Sequence, residues 1–433
     1  MINYRDIEQH ATKIVGKRAV ALSFLAIFCL LAFFPTFGNE LMDGWDDQWQ
    51  VVNSYTSGGW NWKNITDIFK YSFHGQYSPL NQLLYICIYS IGEYNPIYYH
   101  TTSLLIHILN VWLVYLLIQH ITHSTTIWNS ERINWMAFGV ALVFGIHPLQ
   151  VETVAWMSAS KILLSSLFYL LATYIFILFI ERKQNVYYLL TILLFICSYC
   201  SKEQAVVFPL WMLLLCYIYG KEINKVTTWK AIAPFFLLAL LLGLCFVLET
   251  KSVSILDAGS PKDYTWWQRV VFSCYAIIEY ICKFLIPYNL QYKYFYPMSP
   301  GEPLPTWMLL YPILLVIPII CFWKQLTQKS VLVGLLIFLI HILLVLHIVP
   351  INRQHIVADR YIYLSIIGIS FVFLLLIFRI ATMRFQIIVA ICSILLGTYI
   401  IHSNSKTKMW KTTNSIDSQI RYDKPPNIGQ IKL

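Results

Sequence analysis

The stretch Met42–Trp49, with the sequence MDGWDDQW, lies at the centre of the polar interval Gly38–Pro96, the longest such interval before the C-terminal tail. The interval follows the first long apolar run and carries six acidic residues against two basic ones. Adjacent carboxylates beside tryptophans, held just outside a membrane, suit a general base or a metal ligand, because partial burial and mutual repulsion raise a carboxyl pKa. A solvated acidic loop has the same composition, so the rest of the chain has to separate the two interpretations.

The composition indicates a membrane protein. Hydrophobic residues make up 58% of the 433-residue chain and charged residues 12%, whereas about a quarter of a soluble domain is charged. The apolar runs approach the roughly 20 residues that a helix needs to cross a bilayer. The sequence therefore predicts an all-α polytopic membrane protein.

Twelve apolar segments are candidate membrane spans, at residues 19–37, 98–121, 134–153, 162–181, 186–200, 204–220, 231–249, 267–287, 306–323, 330–350, 361–379 and 384–402. The first follows basic residues and lacks a small-residue cleavage site, which predicts a retained anchor with a cytoplasmic N-terminus. Short basic loops follow the fourth, sixth, ninth and eleventh segments, and basic loops are expected in the cytoplasm. All four share that side only if one segment between Lys230 and Lys324 does not cross.

Segment 267–287 is the one expected to lie along the outer interface, because it follows Trp266 and contains Glu279 and Lys283. Eleven spans and an external C-terminus remain. The predicted organisation is a transmembrane domain at residues 1–402, a long first external loop at 38–97 within it, and a polar tail at 403–433 that contains Pro425 and Pro426.

Charge and cysteine content exclude several other classes. The net charge of +10 is explained mostly by the cytoplasmic loops, so nucleic acid is not an expected partner. The ten cysteines are scattered mainly within the spans, and Cys197 and Cys200 are expected to pack rather than to bind a metal. Neither a tetratricopeptide repeat nor a glycine-rich phosphate loop occurs in the sequence.

Polar residues that are costly near hydrocarbon collect on the outer side of this topology. Singly, each has a structural explanation as a helix cap, an ion pair or a snorkelling side chain. Together they match a transfer with a phosphate leaving group, which needs an acid residue to take a proton from the acceptor and cations to hold the phosphate. The set is Asp46, Asp47, His147, Glu152, Lys161, Lys202, Glu203, Arg353, His355, Asp359, Arg360 and Tyr361.

Five segments carry a resemblance to a known family, and they are Tyr77–Asn110, Phe144–Ala172 with FGIHPLQVETVAWMSASK, Cys200–Tyr217 with CSKEQAVVFPLW, Phe284–Pro297 and Ala358–Ile369 with ADRYIYLSIIGI. In this colinear order the chain resembles the membrane part of the TMTC proteins, the transmembrane and tetratricopeptide-repeat protein O-mannosyltransferases. The resemblance implies a GT-C glycosyltransferase-like bundle, with the catalytic acid on the first external loop and a sugar on a polyprenyl phosphate as the donor. The resemblance further implies a bacterial relative that lacks the repeats, lies in the inner membrane and has its active site facing the periplasm.

The family motifs fall on particular residues: the paired acids on Asp46 and Asp47, the HP-x-x-VE motif on His147, Pro148 and Glu152, the SK turn on Ser201 and Lys202, and the ADRY motif on Asp359, Arg360 and Tyr361. In the enzyme interpretation Asp46 is the base, and Asp47 holds the geometry or a divalent ion. The predicted ligands of the donor phosphate are Arg360, Lys202, Lys161 and His147, supported by Glu152, Glu203, Asp359 and Tyr361.

Three departures from the family pattern concern the substrates. Ser78 stands where the family has Arg or His, and Ala159, Ser160 and Ile162 surround Lys161 where relatives often carry charged residues. The absence of the repeats removes the usual arm that recognises the acceptor.

Several functional alternatives follow. The donor is a monophosphate-linked sugar or a diphosphate-linked oligosaccharide, and the second favours a Mg or Mn ion bridging Asp47 and Glu152. The acceptor is a Ser or Thr hydroxyl of an exported protein, or a lipid or surface glycan. A transporter or flippase of lipid-linked sugars is the alternative of another class, but transporters place their sites near the midplane between repeated halves, and neither feature is found here.

Overall fold

The computed structural model describes residues 4–253, 264–292, 294–348, 355–380 and 385–422. Arg353 of the predicted site and the Pro425-Pro426 pair of the tail lie outside these ranges. The described chain is helical apart from two isolated β-bridges. Its helices are α1 Tyr4–Phe33, α2 Asp47–Gln50, α3 Ser54–Gly58, α4 Trp62–Lys70, α5 Pro79–Gly92, α6 Pro96–Thr125, α7 Ser130–Ile146, α8 Val151–Ala155, α9 Ser160–Arg182, α10 Asn185–Ser201, α11 Phe208–Ile218, α12 Val226–Val253, α13 Trp266–Leu285, α14 Leu310–Cys321, α15 Trp323–Leu326, α16 Lys329–Ile342, α17 Ile366–Ile380, α18 Phe385–Met409 and α19 Thr413–Tyr422.

Tight 3-10 turns interrupt the helices at one end of the bundle, which we call the site end. Helix α7 stops at Ile146 because Pro148 lacks an N–H and restricts the residue before it. Further turns lie at Met157–Ala159, Glu203–Val207 and Asp359–Ile362. These turns bring polar side chains from four places in the sequence to the same end of the bundle.

Basic side chains tie helix ends together at the opposite end, which we call the basic end. Lys329, at the start of α16, donates through Nζ to the carbonyl groups of Ser124 and Ile218, both at 3.1 Å. Arg379, in the last turn of α17, donates to Oε1 of Gln328 at 2.7 Å. The ends of α6, α11 and α17 and the start of α16 thus share one end, which is the arrangement that the distribution of Lys and Arg predicted.

The predicted all-α membrane fold is found, but the predicted number of spans is not confirmed. Among the described residues, four helical segments are long and apolar enough to cross a membrane, Arg18–Gly38, Pro96–Thr125, Met157–Arg182 and Val226–Leu244. A fifth is the pair Ser130–Ile146 and Pro148–Ala155, bent by 51°. Five other apolar helices have only 10–17 residues. A 17-residue helix covers about 26 Å of a hydrocarbon core of about 30 Å, so length and composition do not reproduce eleven spans.

Helix α13, which covers the segment predicted to lie along the interface, has both ends near the site end. Near its beginning, Arg269 donates to the carbonyl of Ile348 at 3.4 Å, beyond the end of α16. Near its other end, the carbonyl of Phe284 accepts from His147 at 3.0 Å. Both contacts lie at the site end, and the expectation that this segment lies along the membrane interface stays a prediction.

The boundary predicted between residues 402 and 403 falls inside α18, which continues to Met409. Ser403, Lys406 and Thr407 are buried, because Oγ of Ser403 donates to the carbonyl of Ile146 at 2.7 Å and draws this helix against α7. Residues 403–409 therefore belong to the bundle and not to a separate tail. The chain leaves α18 at the site end, and the sequence analysis predicted an external C-terminus.

Small residues and buried polar groups fix the packing beneath the site. A Cβ atom on Gly368 would lie 2.4 Å from the carbonyl oxygen of Gly334, so only glycine permits this approach of α17 to α16. In the centre, the phenol of Tyr363 lies 2.8 Å from Nδ1 of His107 and 3.1 Å from Nδ2 of Asn110. These contacts hold the turn before α17 against α6.

Candidate active site

Asp47 anchors the first loop to the bundle. Its Oδ1 accepts hydrogen bonds from the N–H and the hydroxyl of Ser158, and its Oδ2 accepts from the N–H of Met42 at 3.1 Å. Burial raises the pKa of Asp47 to about 7, while the hydrogen bonds from Ser158 and Met42 act in the opposite direction. These hydrogen bonds tie the first loop to the turn that contains Ser158, and the role of Asp47 in the reaction stays a prediction.

Asp46 is placed differently, although it is the adjacent residue. It is half-buried and precedes α2 with a φ of 21°, a conformation that residues other than glycine rarely adopt. No hydrogen bond or ion pair engages its carboxylate within the described part of the chain. Asp46 is thus the acid of the pair whose carboxylate is available to another molecule.

Lys161 is buried beneath the first loop, where two glutamines hold its ammonium group. Nζ donates to Oε1 of Gln50 at 3.0 Å and to Oε1 of Gln76. The N–H of Gln50 in turn donates to the carbonyl of Asp46 at 2.7 Å, so the lysine and the free acid are coupled through one turn of α2. The charges that act on Lys161 are those of Lys202, Asp46, Glu203 and Arg360.

Lys202 and Glu203 form an ion pair at 2.6 Å in the turn between α10 and α11. Their side chains are 15% and 19% exposed, so the pair is shielded but still reaches solvent. The sequence analysis considered such a pair as an anchor of the turn and Lys202 as a phosphate ligand. The observed geometry contains the ion pair and places it next to Lys161.

Arg360 is bound by Glu152. The backbone N–H of Arg360 donates to Oε2 of Glu152 at 2.8 Å, and its guanidinium donates to Oε1. The guanidinium carbon also lies over the rings of Trp156, at 5.4 Å, and Tyr361, at 4.9 Å. Cation–π contacts of this kind leave the edge of the guanidinium open, and the side chain is 19% exposed.

Asp359 has a partner that the sequence analysis did not identify. Its Oδ2 accepts from Nζ of Lys406 at 2.8 Å, and its Oδ1 accepts from the phenol of Tyr294 at 2.8 Å. Asp359 therefore does not pair with its neighbour Arg360. The pair is buried, with side-chain exposures of 2% for Asp359 and 6% for Lys406.

His147, which the sequence analysis included among the phosphate ligands, lies away from solvent. The side chain is completely buried, its Nδ1 accepts from the N–H of Leu149 at 3.1 Å, and its Nε2 donates to the carbonyl of Phe284 at 3.0 Å. Both ring nitrogens are therefore used by the backbone. His147 shapes the turn after α7 and cannot bind a phosphate.

The predicted metal pair does not fit a metal ion either. The oxygens of Asp47 accept from Ser158 and Met42, and those of Glu152 accept from Arg360. Across the described ranges, no group of three or more His, Cys, Asp and Glu side chains is arranged to hold a metal.

Ser158 lies inside the quoted segment Phe144–Ala172 but was assigned no role there. Four other residues of the site carried no motif, and they are Gln50, Gln76, Lys406 and Trp410. For two of them a signal existed. Tyr399, Ser403 and Lys406 recur at spacings of three or four residues on one buried face of α18, and Trp410, four residues further on, continues that spacing directly after the helix ends.

The fold and the site together define an integral membrane protein, all-helical where it is described, with a charged cluster at one end of an apolar bundle. No protein-family model matches the sequence. The chain is similar to three curated proteins, but it spans only 15%, 14% and 26% of their lengths.

The first is Protein O-mannosyl-transferase Tmtc1 of Drosophila melanogaster, which is 29% identical over 143 residues, or 33% of this chain. The second is Protein O-mannosyl-transferase TMTC1 of Homo sapiens, which is 28% identical over 136 residues, or 29% of this chain. The third is Protein O-mannosyl-transferase F38B6.6 of Caenorhabditis elegans, which is 23% identical over 193 residues, or 42% of this chain. The resemblance to TMTC-type proteins is thus found again as a distant and partial similarity.

Proposed function

We propose that this chain is a membrane glycosyltransferase of the GT-C type, which moves a sugar from a polyprenyl-linked donor to a hydroxyl group of an exported protein. The observation that carries the proposal is the unengaged carboxylate of Asp46 beside a cluster of cations, Lys161, Lys202 and Arg360, at one end of an apolar bundle. The names of the similar proteins support a sugar as the transferred group and a protein as the acceptor.

Asp46 acts as the general base in this proposal. Its carboxylate takes the proton of the acceptor hydroxyl while the hydroxyl oxygen attacks the anomeric carbon of the donor sugar. The bond from that carbon to the phosphate oxygen breaks, its electron pair stays on the phosphate, and the anomeric configuration inverts. A positioned base accelerates such a step by about 10² to 10⁴.

Arg360 and Lys202 stabilise the departing phosphate. The guanidinium of Arg360 donates from one nitrogen to Glu152 and from a second to the hydroxyl of Tyr361 at 3.5 Å. A guanidinium has five N–H groups, so further donors remain for the phosphate oxygens. The ion pair with Glu203 holds the ammonium group of Lys202 in place at the site. The negative charge on the phosphate grows as the bond breaks, so these cations act mainly on the transition state.

The lipid part of the donor fits the surroundings of the site. A cavity beside Tyr361 is lined by polar side chains, including Ser166, Tyr169 and Gln204, together with apolar ones such as Ile162 and Leu364. Helix α14 has no buried side chain and leaves an apolar surface for lipid.

Transfer of a labelled sugar tests the proposal. The purified protein in lipid nanodiscs is incubated with polyprenyl phosphate-linked [³H]mannose, or with a polyprenyl diphosphate-linked oligosaccharide, and a Ser/Thr-rich peptide. We expect labelled peptide together with released polyprenyl phosphate or diphosphate, and neither with Asp46→Asn. Label on an added glycan or lipid instead of the peptide would change the acceptor class. Translocation of the intact donor across a liposome membrane without bond cleavage would instead establish a transporter and overturn the proposal.

A further inference from the structure

The C-terminal end of the chain crosses the site between its two halves. Helix α18 ends at Met409, and the chain then passes the first loop before it enters α19. One half of the site is the first loop with Asp46, and the other is the turn with Arg360. Nothing in the proposed chemistry uses the C-terminal residues themselves.

Lys406 fixes the arginine half. Its ammonium group donates to Asp359 at 2.8 Å and lies over the ring of Tyr292 at 5.8 Å. Asp359 immediately precedes Arg360 in the same 3-10 turn. A buried ion pair with a second hydrogen bond from Tyr294 sets the position of that turn, because removal of either charge would leave the other buried and uncompensated.

Trp410 connects the two halves through aromatic contacts. Its indole stacks on Trp156 with ring centroids 5.7 Å apart and an interplanar angle of 23°. It also meets Trp45 edge to face, with centroids 5.9 Å apart. Trp45 is the residue before Asp46, and Trp156 carries the guanidinium of Arg360 over its ring. Trp45 and Trp156 also meet each other edge to face, with centroids 6.3 Å apart, so Trp410 completes a cluster of three indoles that joins the base to the phosphate ligand, and 1% of its surface is exposed.

Hydrogen bonds to the first loop complete the connection. The carbonyl of Lys411 accepts from the N–H of Glu40 at 2.9 Å, and Oγ1 of Thr413 donates to the carbonyl of Asp43 at 2.8 Å. A third bond runs from Nδ2 of Asn39 to the carbonyl of a helix residue, Thr407, at 3.1 Å. The first loop thus has three polar attachments to the C-terminal segment.

We propose that Lys406, Thr407, Trp410, Lys411 and Thr413, which we call the C-terminal clamp, are positioning residues that set the distance between Asp46 and Arg360. The inference rests on the proposed function, since it assigns these two residues to opposite sides of the transferred sugar. The clamp touches neither substrate. It acts through Trp45 and Asp359, and it matters because displacement of a reacting group by about 1 Å can lower a rate about 10²-fold.

The test separates positioning from folding and from donor binding. Trp410→Ala and Lys406→Met are compared with Trp323→Ala and Lys408→Met, whose side chains are exposed, in the transfer assay with polyprenyl phosphate-linked [³H]mannose. For the clamp variants we expect kcat to fall at least about tenfold, with the KM for the donor within about twofold of the wild type. Trp410→Phe should recover most of the lost turnover, because it retains an aromatic ring between the two halves. The controls should keep the wild-type kcat.

The outcomes are distinct. Absence of transfer by the wild type would defeat the proposed function, and the clamp with it. Transfer by the wild type together with an unchanged kcat in folded Trp410→Ala would defeat the clamp alone. If Trp410→Ala does not fold, Lys406→Met and Trp410→Leu decide, since each removes the contact and keeps an apolar side chain of substantial volume. Partial loss of kcat at constant donor KM supports the clamp, and loss of thermal stability at constant kcat overturns it.

Discussion

Arg360 binds Glu152 through two groups at once, because its backbone N–H and its guanidinium each donate to one oxygen of the same carboxylate. The two residues are 208 positions apart, so this pair joins the turn after α7 to the turn before α17. Glu152 is 4% exposed and Arg360 19%. The carboxylate therefore fixes the arginine from the protein side and leaves its outer edge open.

Glu152→Gln should destabilise the protein, because it leaves the charge of Arg360 without its partner. Breaking a buried pair of this kind costs about 3 to 5 kcal/mol. The matched control is Glu222→Gln in the exposed pair with Lys225, at 2.7 Å, for which we expect a change within about 1 kcal/mol. Thermal unfolding of the two variants in the same detergent measures the difference, and equal shifts would contradict the structural role of Glu152.

Asp46→Asn should abolish transfer while the protein stays folded. The amide cannot accept the acceptor proton, and loss of a positioned base costs about 10² to 10⁴ in rate. Asp43→Asn in the same loop is the control, since Asp43 is exposed and has no place in the mechanism. Near-normal turnover of purified Asp46→Asn would remove the base from the proposal.

Asp47 should make stability depend on pH. Its native pKa is raised to about 7 by burial, above the value of about 4 in an unfolded chain. The native state therefore binds this proton more tightly, so the stabilisation is complete below about pH 4 and is lost as the pH rises through about 7. Melting temperatures between pH 5 and 8 should fall more steeply for the wild type than for Asp47→Asn. Parallel curves would refute this prediction, and Asp43→Asn should follow the wild type.

Arg360→Lys should lower both donor affinity and turnover at saturating donor. Lysine retains the charge but not the planar fork that binds Glu152 and phosphate together. Arg360→Ala should be more damaging, and Lys202→Ala should be intermediate, because solvent cations partly replace a compact charge. Steady-state kinetics with the polyprenyl-linked donor provide the comparison. A folded Arg360→Ala variant with lower thermal stability but unchanged kcat and KM would limit Arg360 to anchoring.

Membrane topology can be tested with single cysteines on a background without the native ones. The exposed position Thr327 lies in the loop before α16 and should be protected from an impermeant thiol reagent in intact cells. Gln48, exposed in the first loop, should be labelled. Labelling at position 327 from outside would invert the assignment of the basic end to the cytoplasm.

Much of this protein follows from local features of the sequence. The low charged fraction and the length of the apolar runs predict membrane helices, because burial of apolar side chains and internal backbone hydrogen bonds depend only on nearby residues. Pro148 breaks a helix wherever that helix lies. The basic loops place helix ends relative to each other, and Lys329 and Arg379 lie at the end that they predict. The residue types of the site were likewise visible as charges next to apolar segments.

Only the tertiary structure decided which charges meet. Asp359 and Arg360 are neighbours in the sequence, yet they bind Lys406 and Glu152, because successive side chains of a turn point in different directions. For the same reason the carboxylate of Asp46 stays available, whereas that of Asp47 is buried and accepts a hydrogen bond from Ser158. His147 lies in a family motif, but both of its ring nitrogens are hydrogen-bonded to backbone groups. Pairings across 47 to 208 positions depend on how the helices pack, and that packing is not encoded in any one stretch of the chain.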